Sequence, residues 1–310
     1  MRIAILGTGA MGSVYAGLLA SAGLDVWAVD TWAEHVEAMR RDGLRVSGAS
    51  GERTARLSAT TDARDVGRAD LVIVATKARD VEAAAATARA IVAEDGVILT
   101  IQNGLGSADR VARIVGPERV MIGVVGGFGA SMVGPGHVHH NGAEFVRLGE
   151  YAGGMTPRLE RVGKVWEQGG FRVLLFPDIH KMVWEKFICN VAYSGICTVT
   201  GMTVGEVMAD PNAGSVSAAC ATEAFTVARA KGIAVEIDEP VAYVRAFGSK
   251  IPNAKPSMLL DHLAQRPSEI DVINGAVPRV GAEVGVAAPV NEVIAAIVRA
   301  KETLFPAQGR

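Results

Sequence analysis

A glycine-rich turn near the start of the chain constrains the fold more than any other feature. The turn Gly7–Gly12 (GTGAMG) follows a short apolar segment (RIAIL) and precedes a segment of helical composition. This context is typical of a dinucleotide-binding turn. Gly7 permits the tight bend, Gly9 lets the backbone approach a pyrophosphate, and Gly12 lets the helix pack on the strand. The helix N-terminus offers N–H groups to the phosphates. The alternative is a structural glycine turn that binds no ligand.

An acidic residue after the second predicted strand bears on the choice of dinucleotide. The strand Asp25–Val29 is followed by Asp30, which lies 18 residues after Gly12. A carboxylate at this point accepts hydrogen bonds from the adenosine ribose and repels a 2′-phosphate. The sequence therefore predicts NAD(H) in preference to NADP(H).

Length, composition and charge limit the class of protein. The chain has 310 residues, 49% hydrophobic and 21% charged, which indicates a globular protein with a substantial core. Its net charge of −2 gives no sign of a nucleic-acid partner. We find no secretory signal and no apolar run of membrane-spanning length, and so expect a cytoplasmic protein with no membrane partner. Cys189, Cys197 and Cys220 have no metal-ligand spacing, so we expect reduced, buried thiols and no metal.

The first half of the chain alternates predicted strands and helices, which is typical of a parallel sheet covered on both faces. The predicted strands are Arg2–Leu6, Asp25–Val29, Asp70–Ala75, Val97–Ile101 and Arg119–Val125. The predicted helices are Ser13–Ala22, Trp32–Arg41, Val81–Ala93 and Ser107–Val115. Val138–His140 and Phe145–Leu148, around Asn141–Gly142, predict an antiparallel hairpin added to this sheet.

Beyond a strand at Phe171–Phe176 the periodic segments are helical. They are Ile179–Tyr193, Ser215–Lys231, Val241–Phe247, Ser268–Val284 with an interruption near Pro278, and Asn291–Leu304. Asn291 is a candidate N-cap of the last helix. We predict an α/β protein with two domains. Residues 1–176 form a Rossmann-type dinucleotide-binding domain, and residues 177–310 form an all-helical domain for substrate and catalysis.

Three polar residues recur at helical spacing in an otherwise apolar segment. Lys186, Asn190 and Ser194 are spaced i, i+4, i+8, which places them on one side of a helix. A lysine among apolar neighbours is costly to bury unless it is partnered, and burial makes it a tunable proton donor. The alternative is a lysine that extends to solvent along an amphipathic helix.

Further polar residues in the second half have both a functional and a structural interpretation. Ser257 follows a proline and precedes an apolar helix, so it is either an N-cap or a hydroxyl that binds a carboxylate ligand. Glu269 and Asp271 are either site residues or acids in the first turn of a helix. His137 and His139 share a strand face, but no acid or cysteine joins them, which favours a hairpin surface over a metal site.

Six motifs occur in the order found in ketopantoate reductases (2-dehydropantoate 2-reductases), and the whole chain resembles this family. The motifs are Gly7–Gly12 (GTGAMG), Thr76–Ala78 (TKA), Gln102–Gly104 (QNG), Trp184–Phe187 (WEKF) with Asn190, Lys255–Met258 (KPSM), and Glu269–Asp271 (EID) with Asn274–Gly275. The resemblance implies a Rossmann domain followed by a helical domain.

The resemblance also implies roles for particular residues. Lys186 is the general acid that protonates the developing alkoxide, and Glu269 orients that lysine and the reacting oxygen. Asn190 and Ser257 hold the substrate, with the serine close to its carboxylate. Asn103 lies near both nicotinamide and substrate.

The cofactor-binding residues implied by the resemblance are Gly7, Gly9, Ala10, Met11, Gly12, Asp30, Lys77 and Asn103. The reaction that the resemblance implies is the reduction of a 2-keto acid, in which hydride passes from the nicotinamide to the keto carbon.

The sequence departs from the family pattern at two points. Ser194, a further candidate substrate-binding residue, stands where many members have an asparagine that contacts the distal part of the substrate. The region after Asp30 contains no arginine to pair with a 2′-phosphate, which resembles the NAD-using branch. The family resemblance as a whole implies reduction of ketopantoate to (R)-pantoate, for pantothenate and coenzyme A biosynthesis. The alternative is an NAD-dependent D-2-hydroxy acid dehydrogenase acting on branched or aromatic 2-keto acids.

Two further expectations concern activity and assembly. A third interpretation, beside the two enzymes, is a catalytically silent sensor that binds a nucleotide. A sensor needs the glycine turn but no proton donor, so the presence of Lys186 counts against it. The expected partner is a small-molecule 2-keto acid, and because members of the family are often dimers, a homodimer is one candidate assembly.

Overall fold

The computed structural model describes residues 1–127, 129–142 and 145–306. The chain folds into two units. The first comprises Met1–Gln102 and Ser107–Ile179, and the second comprises Asn103–Gly106 with the described residues from His180 onward. The division after Ile179 lies close to the predicted boundary after Phe176, but the short segment Asn103–Gly106 groups with the second unit.

The described strands all lie in the first unit. They are β1 (Arg2–Leu6), β2 (Asp25–Val29), β3 (Leu44–Gly48), β4 (Arg53–Ala55), β5 (Ser58–Thr60), β6 (Ala69–Val74), β7 (Val92–Thr100), β8 (Val120–Gly126), β9 (Gly129–Gly134), β10 (His137–Gly142), β11 (Phe145–Glu150) and β12 (Val173–Leu175). The helices of this unit are α1 (Ala10–Ser21), α2 (Ala33–Asp42), α3 (Val81–Ile91), α4 (Ser107–Val115) and α5 (Pro157–Gln168).

Eight of these strands form one sheet, in the order β12-β11-β8-β7-β6-β1-β2-β5. The neighbours pair in parallel, except that β11 runs antiparallel to β8. At its centre Ile3 pairs with Leu71 and Ile5 with Ile73, and all four are fully buried. Helices cover both faces, which explains the nearly continuous apolar sequence of β1 and β6.

The predicted antiparallel hairpin is wrong, because its two strands belong to different sheets. The second sheet has the order β4-β3-β10-β9, in which β10 pairs with β9 and β3. Strand β11 pairs instead with β8 and β12 of the large sheet. Val138 of β10 and Val146 of β11 are both fully buried in one core, but β10 pairs with β3 and β11 with β8, so pairing with other strands outweighs the local turn signal of Asn141–Gly142. The predicted connection includes residues 143–144, which lie outside the described residues.

Helix α1 is buried from Gly12 to Leu19, since both sheets pack against it. Two glycines allow this close packing. A Cβ on Gly12 would overlap the Gly7 carbonyl oxygen, and a Cβ on Gly17 would overlap Val46 of β3. The predicted role of Gly12 in packing the helix against the strand is therefore confirmed.

In residues 180–306 the regular elements are all helical, which agrees with the predicted fold class. The helices are α6 (Ile179–Thr200), α7 (Val204–Ala209), α8 (Pro211–Ala230), α9 (Pro240–Gly248), α10 (Ser257–Leu263), α11 (Ala276–Glu283) and α12 (Pro289–Glu302). Buried side chains of α6, α8, α11 and α12 share one core. Among the described helices, none is long and apolar enough to cross a membrane.

Two local predictions in this unit are wrong, and the N-cap alternative for Ser257 does not hold. The predicted helix Ser268–Val284 is a 3-10 turn, Ile270–Val272, followed by α11. Asn291 is not an N-cap, because α12 starts two residues earlier at Pro289. It is fully buried and donates from Nδ2 to the Cys220 carbonyl oxygen at 3.1 Å. Ser257 is the first residue of α10 and makes no capping hydrogen bond.

Alanine substitutions at Gly12 and Gly9 test whether close packing at Gly12 requires a glycine there. We expect Gly12→Ala to lower the free energy of unfolding by about 1–3 kcal/mol, because its methyl group overlaps the Gly7 carbonyl. Gly9→Ala is the matched control, since its Cβ would meet nothing within 4 Å and its φ is negative, at −59°. Urea unfolding followed by circular dichroism measures both. Equal stability of the two variants would contradict the packing role of Gly12.

Candidate active site

The glycine turn lies between β1 and α1 and presents backbone rather than side chains. Gly7 has a φ of +87°, and its N–H donates to the Val29 carbonyl oxygen at 2.9 Å, which ties the turn to β2. Gly9 is exposed, with no heavy atom within 4 Å of where its Cβ would be. Helix α1 has no side-chain N-cap and no acid in its first turn. Its first N–H groups are therefore suited to an anion, which fits the pyrophosphate of a dinucleotide.

The carboxylate of Asp30 is held beside this turn by two hydrogen bonds. Oδ2 accepts from the Thr8 hydroxyl at 3.3 Å, and Oδ1 accepts from the Trp32 N–H at 2.9 Å. Each oxygen of an ionised carboxylate can accept more than one hydrogen bond. Asp30 is thus fixed at the end of β2 with capacity left for a ribose hydroxyl.

Lys77 and Gln102 lie at the same edge of the large sheet as the turn. Each follows the carboxyl end of a strand, β6 for Lys77 and β7 for Gln102, and β6 pairs with both β1 and β7. Lys77 is exposed. The Gln102 amide donates to the carbonyl oxygens of Val74 at 2.7 Å and Thr76 at 3.1 Å, so it braces the ends of two strands. Ligands of parallel α/β sheets bind at this edge.

In the second unit Lys186 and Asn103 form a direct hydrogen bond. The Lys186 ammonium donates from Nζ to Oδ1 of Asn103 at 2.7 Å. Asn103 is distant in sequence, and the backbone that follows it holds it there. The Leu105 N–H donates to the Val272 carbonyl oxygen at 2.9 Å. Gly104 has a φ of +80°, and a Cβ on it would overlap the same carbonyl. The segment therefore needs glycine at this position.

Helix α6 places Lys186 among buried apolar side chains. Trp184, Phe187 and Ile188 are buried, whereas Lys186 and Asn190 are half-buried. The two polar residues thus mark a partly exposed stripe on α6, as the i, i+4 spacing predicts. Ser194, one turn further, is only 5% exposed.

Glu269 and Ser257 lie on other parts of the second unit. Glu269 is half-buried and directly precedes the 3-10 turn Ile270–Val272, whose last carbonyl binds the Asn103–Gly106 segment. Glu269 therefore belongs to the backbone that positions Asn103. Ser257 is exposed at the start of α10.

His137 and His139, which share a face of the sequence-predicted strand, both lie on β10. The Ser47 hydroxyl is within hydrogen-bond distance of His137 Nε2, at 3.0 Å, and of His139 Nδ1, at 3.2 Å. They therefore contact a neighbouring strand of the small sheet. Among the described residues no group of three or more metal-ligating side chains is found.

Ser13 and His35 were not predicted as site residues, yet their hydrogen bonds reach the glycine turn. The Ser13 hydroxyl donates to the Thr8 carbonyl oxygen at 2.6 Å and lies 3.2 Å from His35 Nε2. One signal was present in the sequence. His35 lies four residues before Met39 on the apolar face of α2, where a polar side chain requires a buried partner.

Comparison with family models matches nearly the whole chain. Residues 3–153 match the model described as Ketopantoate reductase PanE/ApbA. Residues 178–302 match the model of the C-terminal part of the same family.

Relatives and solved structures match this chain over nearly its full length. The 2-dehydropantoate 2-reductase of Halobacterium salinarum is 31% identical over 300 residues, which cover 96% of this chain and 98% of that protein. A ketopantoate reductase structure from Ralstonia eutropha has a TM-score of 0.89 at 30% identity and covers 98% of this chain and 99% of that one. A D-mandelate dehydrogenase with NADH and anilino(oxo)acetate has a TM-score of 0.88 at 28% identity, with the same coverage.

The thiols should be inert in the folded protein. Cys189, Cys197 and Cys220 are free and buried, as predicted. Burial raises the pKa of each thiol to about 12, so the reactive thiolate is scarce near neutral pH. We expect no labelling by iodoacetamide at about pH 8 in the native protein, against full labelling in guanidinium, measured by mass spectrometry. Rapid native labelling of Cys189 would contradict this description of α6.

Proposed function

The chain belongs to the ketopantoate reductase family, whose members are NAD(P)H-dependent oxidoreductases acting on a CH–OH group, and we propose that it reduces ketopantoate to (R)-pantoate. This reaction supplies pantoate for pantothenate and coenzyme A biosynthesis. The observation that carries the proposal is the hydrogen bond of 2.7 Å from the Lys186 ammonium to Asn103, at a half-buried position on α6.

Lys186 is proposed as the proton donor of the reduction. The nicotinamide, when bound, supplies the hydride to the keto carbon. As the C–H bond forms, the carbonyl π electrons move to oxygen, and the Lys186 ammonium stabilises the negative charge and gives the oxygen its proton. The products are the 2-hydroxy acid, the oxidised nicotinamide and a neutral lysine, which regains its proton from solvent.

Asn103 is proposed to orient this donor. Its amide oxygen accepts one of the three ammonium hydrogens. An amide acceptor fixes the direction of the ammonium without adding a negative charge of its own. We propose that Glu269, on the backbone turn that holds Asn103, assists this orientation.

Asn190 and Ser257 are the proposed substrate contacts. Asn190 lies one helical turn after Lys186 on the partly exposed stripe of α6, and its amide can both donate and accept hydrogen bonds. Ser257 offers an exposed hydroxyl, which suits the substrate carboxylate. Both lie in the same compact unit as Lys186.

A second candidate activity is that of an NAD-dependent D-2-hydroxy acid dehydrogenase acting on branched or aromatic 2-keto acids. Two observations favour it. The D-mandelate dehydrogenase structure matches this chain with a TM-score of 0.88. Ser194 is buried, at 5% exposed. Its side chain is smaller than the asparagine found there in many members of the family, so it occupies less space and has fewer hydrogen-bonding groups.

NADH is the proposed cofactor, bound by the glycine turn. Gly7, Gly9, Ala10, Met11 and Gly12 supply the backbone for the pyrophosphate. Asp30, with its two intramolecular hydrogen bonds, is proposed to accept from the adenosine ribose and to repel a 2′-phosphate. Lys77 and Asn103 are the further proposed cofactor contacts.

Replacing Lys186 tests the proton donor. We expect Lys186→Ala to lower kcat about 10²–10⁴-fold, because the alkoxide loses its proton source, with little change in the dissociation constant of NADH. Lys181→Ala is the matched control, since Lys181 lies on the same helix in an ion pair with Glu236 and should leave kcat unchanged. Stopped-flow single turnovers and NADH fluorescence titration measure the two quantities. Unchanged single-turnover rates in Lys186→Ala would contradict the role given to this lysine.

Replacing Asp30 tests cofactor selection. We expect Asp30→Ala to raise KM for NADH about tenfold and to lower KM for NADPH, since a ribose hydrogen bond and a repulsive charge are both lost. Asp25→Ala is the control, because Asp25 lies at the other end of β2 and pairs with Arg2. The measurement is kcat/KM for each cofactor. A ratio of NADH to NADPH that stays as in the wild type would count against selection by Asp30.

A further inference from the structure

His35 is a fully buried histidine whose two ring nitrogens are both engaged. It lies in the first turn of α2, with no exposed surface. The Gly136 N–H, in the turn between β9 and β10, donates to His35 Nδ1 at 2.8 Å. Nε2 lies 3.2 Å from the Ser13 hydroxyl, which in turn donates to the Thr8 carbonyl oxygen at 2.6 Å. One chain of hydrogen bonds therefore links the small sheet to the glycine turn.

The donor and acceptor of every hydrogen bond in this series, from Gly136 to Thr8, follow from its first donor. A backbone N–H can only donate, so His35 Nδ1 must be an acceptor without a proton. The ring proton is then on Nε2, which donates to Ser13, and the Ser13 hydroxyl is free to donate to Thr8. The histidine is thus a neutral Nε2–H tautomer, because a cationic ring would place an N–H against the Gly136 N–H.

The surroundings of His35 agree with a neutral ring. Burial lowers its pKa below the usual range, although the carboxylate of Asp30 and the Thr8 carbonyl act in the opposite direction. The indole of Trp32 stacks on the ring at a centroid distance of 5.1 Å, which restricts its rotation.

The donor at Gly136 is itself firmly placed. Gly136 has a φ of +71°, and a Cβ on it would lie 2.9 Å from the Ala38 Cβ of α2. Its carbonyl oxygen accepts from the Arg45 N–H of β3 at 2.8 Å. Helix α2 and the small sheet therefore set the position of the first donor from two sides.

We propose that His35, acting through Ser13, is a positioning residue that sets the Thr8–Gly9 peptide in the orientation that binds the cofactor pyrophosphate. In a trans peptide the C=O and the following N–H point in opposite directions. With the Thr8 carbonyl held towards buried Ser13, the Gly9 N–H is directed to the exposed side of the turn, where a Cβ on Gly9 would meet no atom within 4 Å. This inference rests on the proposed binding of a dinucleotide by the turn.

Three substitutions separate the parts of this chain of hydrogen bonds. Ser13→Ala removes the bond to Thr8. His35→Asn keeps an acceptor near the Nδ1 position but has no donor that reaches Ser13, whereas His35→Gln has an amide donor near the Nε2 position. Ser47→Ala is the matched control, because Ser47 is a buried serine between two histidine rings in the small sheet and has no contact with the turn.

The experiment is a fluorescence titration with NADH and a calorimetric titration with ADP-ribose, at a temperature where circular dichroism shows each variant folded. We expect Ser13→Ala and His35→Asn to raise both dissociation constants about tenfold, while kcat at saturating NADH changes less than about twofold. His35→Gln should recover most of the affinity, and Ser47→Ala should bind as the wild type does.

The outcomes distinguish this inference from the proposed function. If the wild type binds neither NADH nor ADP-ribose, the dinucleotide site itself is wrong. If the wild type binds both and Ser13→Ala has the same affinity, only the positioning role is overturned. An equal loss in Ser47→Ala, or a loss in kcat without a loss of affinity, also overturns it, because it indicates a general structural effect.

Discussion

Burial of α1 between two sheets is the constraint on which the first unit depends. The helix is covered from Gly12 to Leu19, and two of its close contacts require Gly12 and Gly17. Its position is therefore set on both sides, and the contact of Gly12 with the Gly7 carbonyl oxygen packs its N-terminus against the residue that follows β1. The N–H groups at that end, which no side chain caps, are thereby positioned in advance, which lowers the entropic cost of the proposed pyrophosphate binding. The same burial brings His35 and the small sheet within reach of the turn.

In the second unit, the backbone around Gly104 places Asn103 beside Lys186, the proposed proton donor. Lys186 is kept on a half-buried stripe of α6, where its charge needs a partner. Asn103 accepts a hydrogen bond from it, and the backbone after Asn103 is held by the positive φ of Gly104 and by the bond from the Leu105 N–H to Val272. We propose that this hydrogen bond fixes the direction of the ammonium as the proton donor of carbonyl reduction. Hence the proposed activity depends on one glycine as well as on one lysine.

Local sequence patterns predicted most helices and the strands β1, β2, β6, β7 and β8, because each of these elements has an apolar pattern that its own burial explains. The short parallel strands β3 and β5 were not predicted. The pairing of β10 could not be predicted, since Val138 packs into a core made by residues distant in sequence. Asn291 has the local signature of an N-cap, yet it lies inside α12 and bonds to Cys220, a partner 71 positions away. Among the candidate site residues, the spacing of Lys186 and Asn190 predicted their shared stripe. The hydrogen bond from Lys186 to Asn103 depends on the tertiary fold, and only the family resemblance indicated that both residues lie near the substrate.

Reduction of a 2-keto acid is tested most directly by kcat/KM for ketopantoate, 2-ketoisovalerate, 2-ketoisocaproate and phenylglyoxylate, each with NADH and with NADPH. These substrates share the 2-keto carboxylate on which Lys186 is proposed to act and differ only in the remainder of the molecule. We predict turnover of ketopantoate with the highest kcat/KM and with NADH preferred. A higher value for phenylglyoxylate would contradict the pantoate assignment in favour of the D-2-hydroxy acid dehydrogenase. Absence of turnover for all four with both cofactors would contradict 2-keto acid reduction itself.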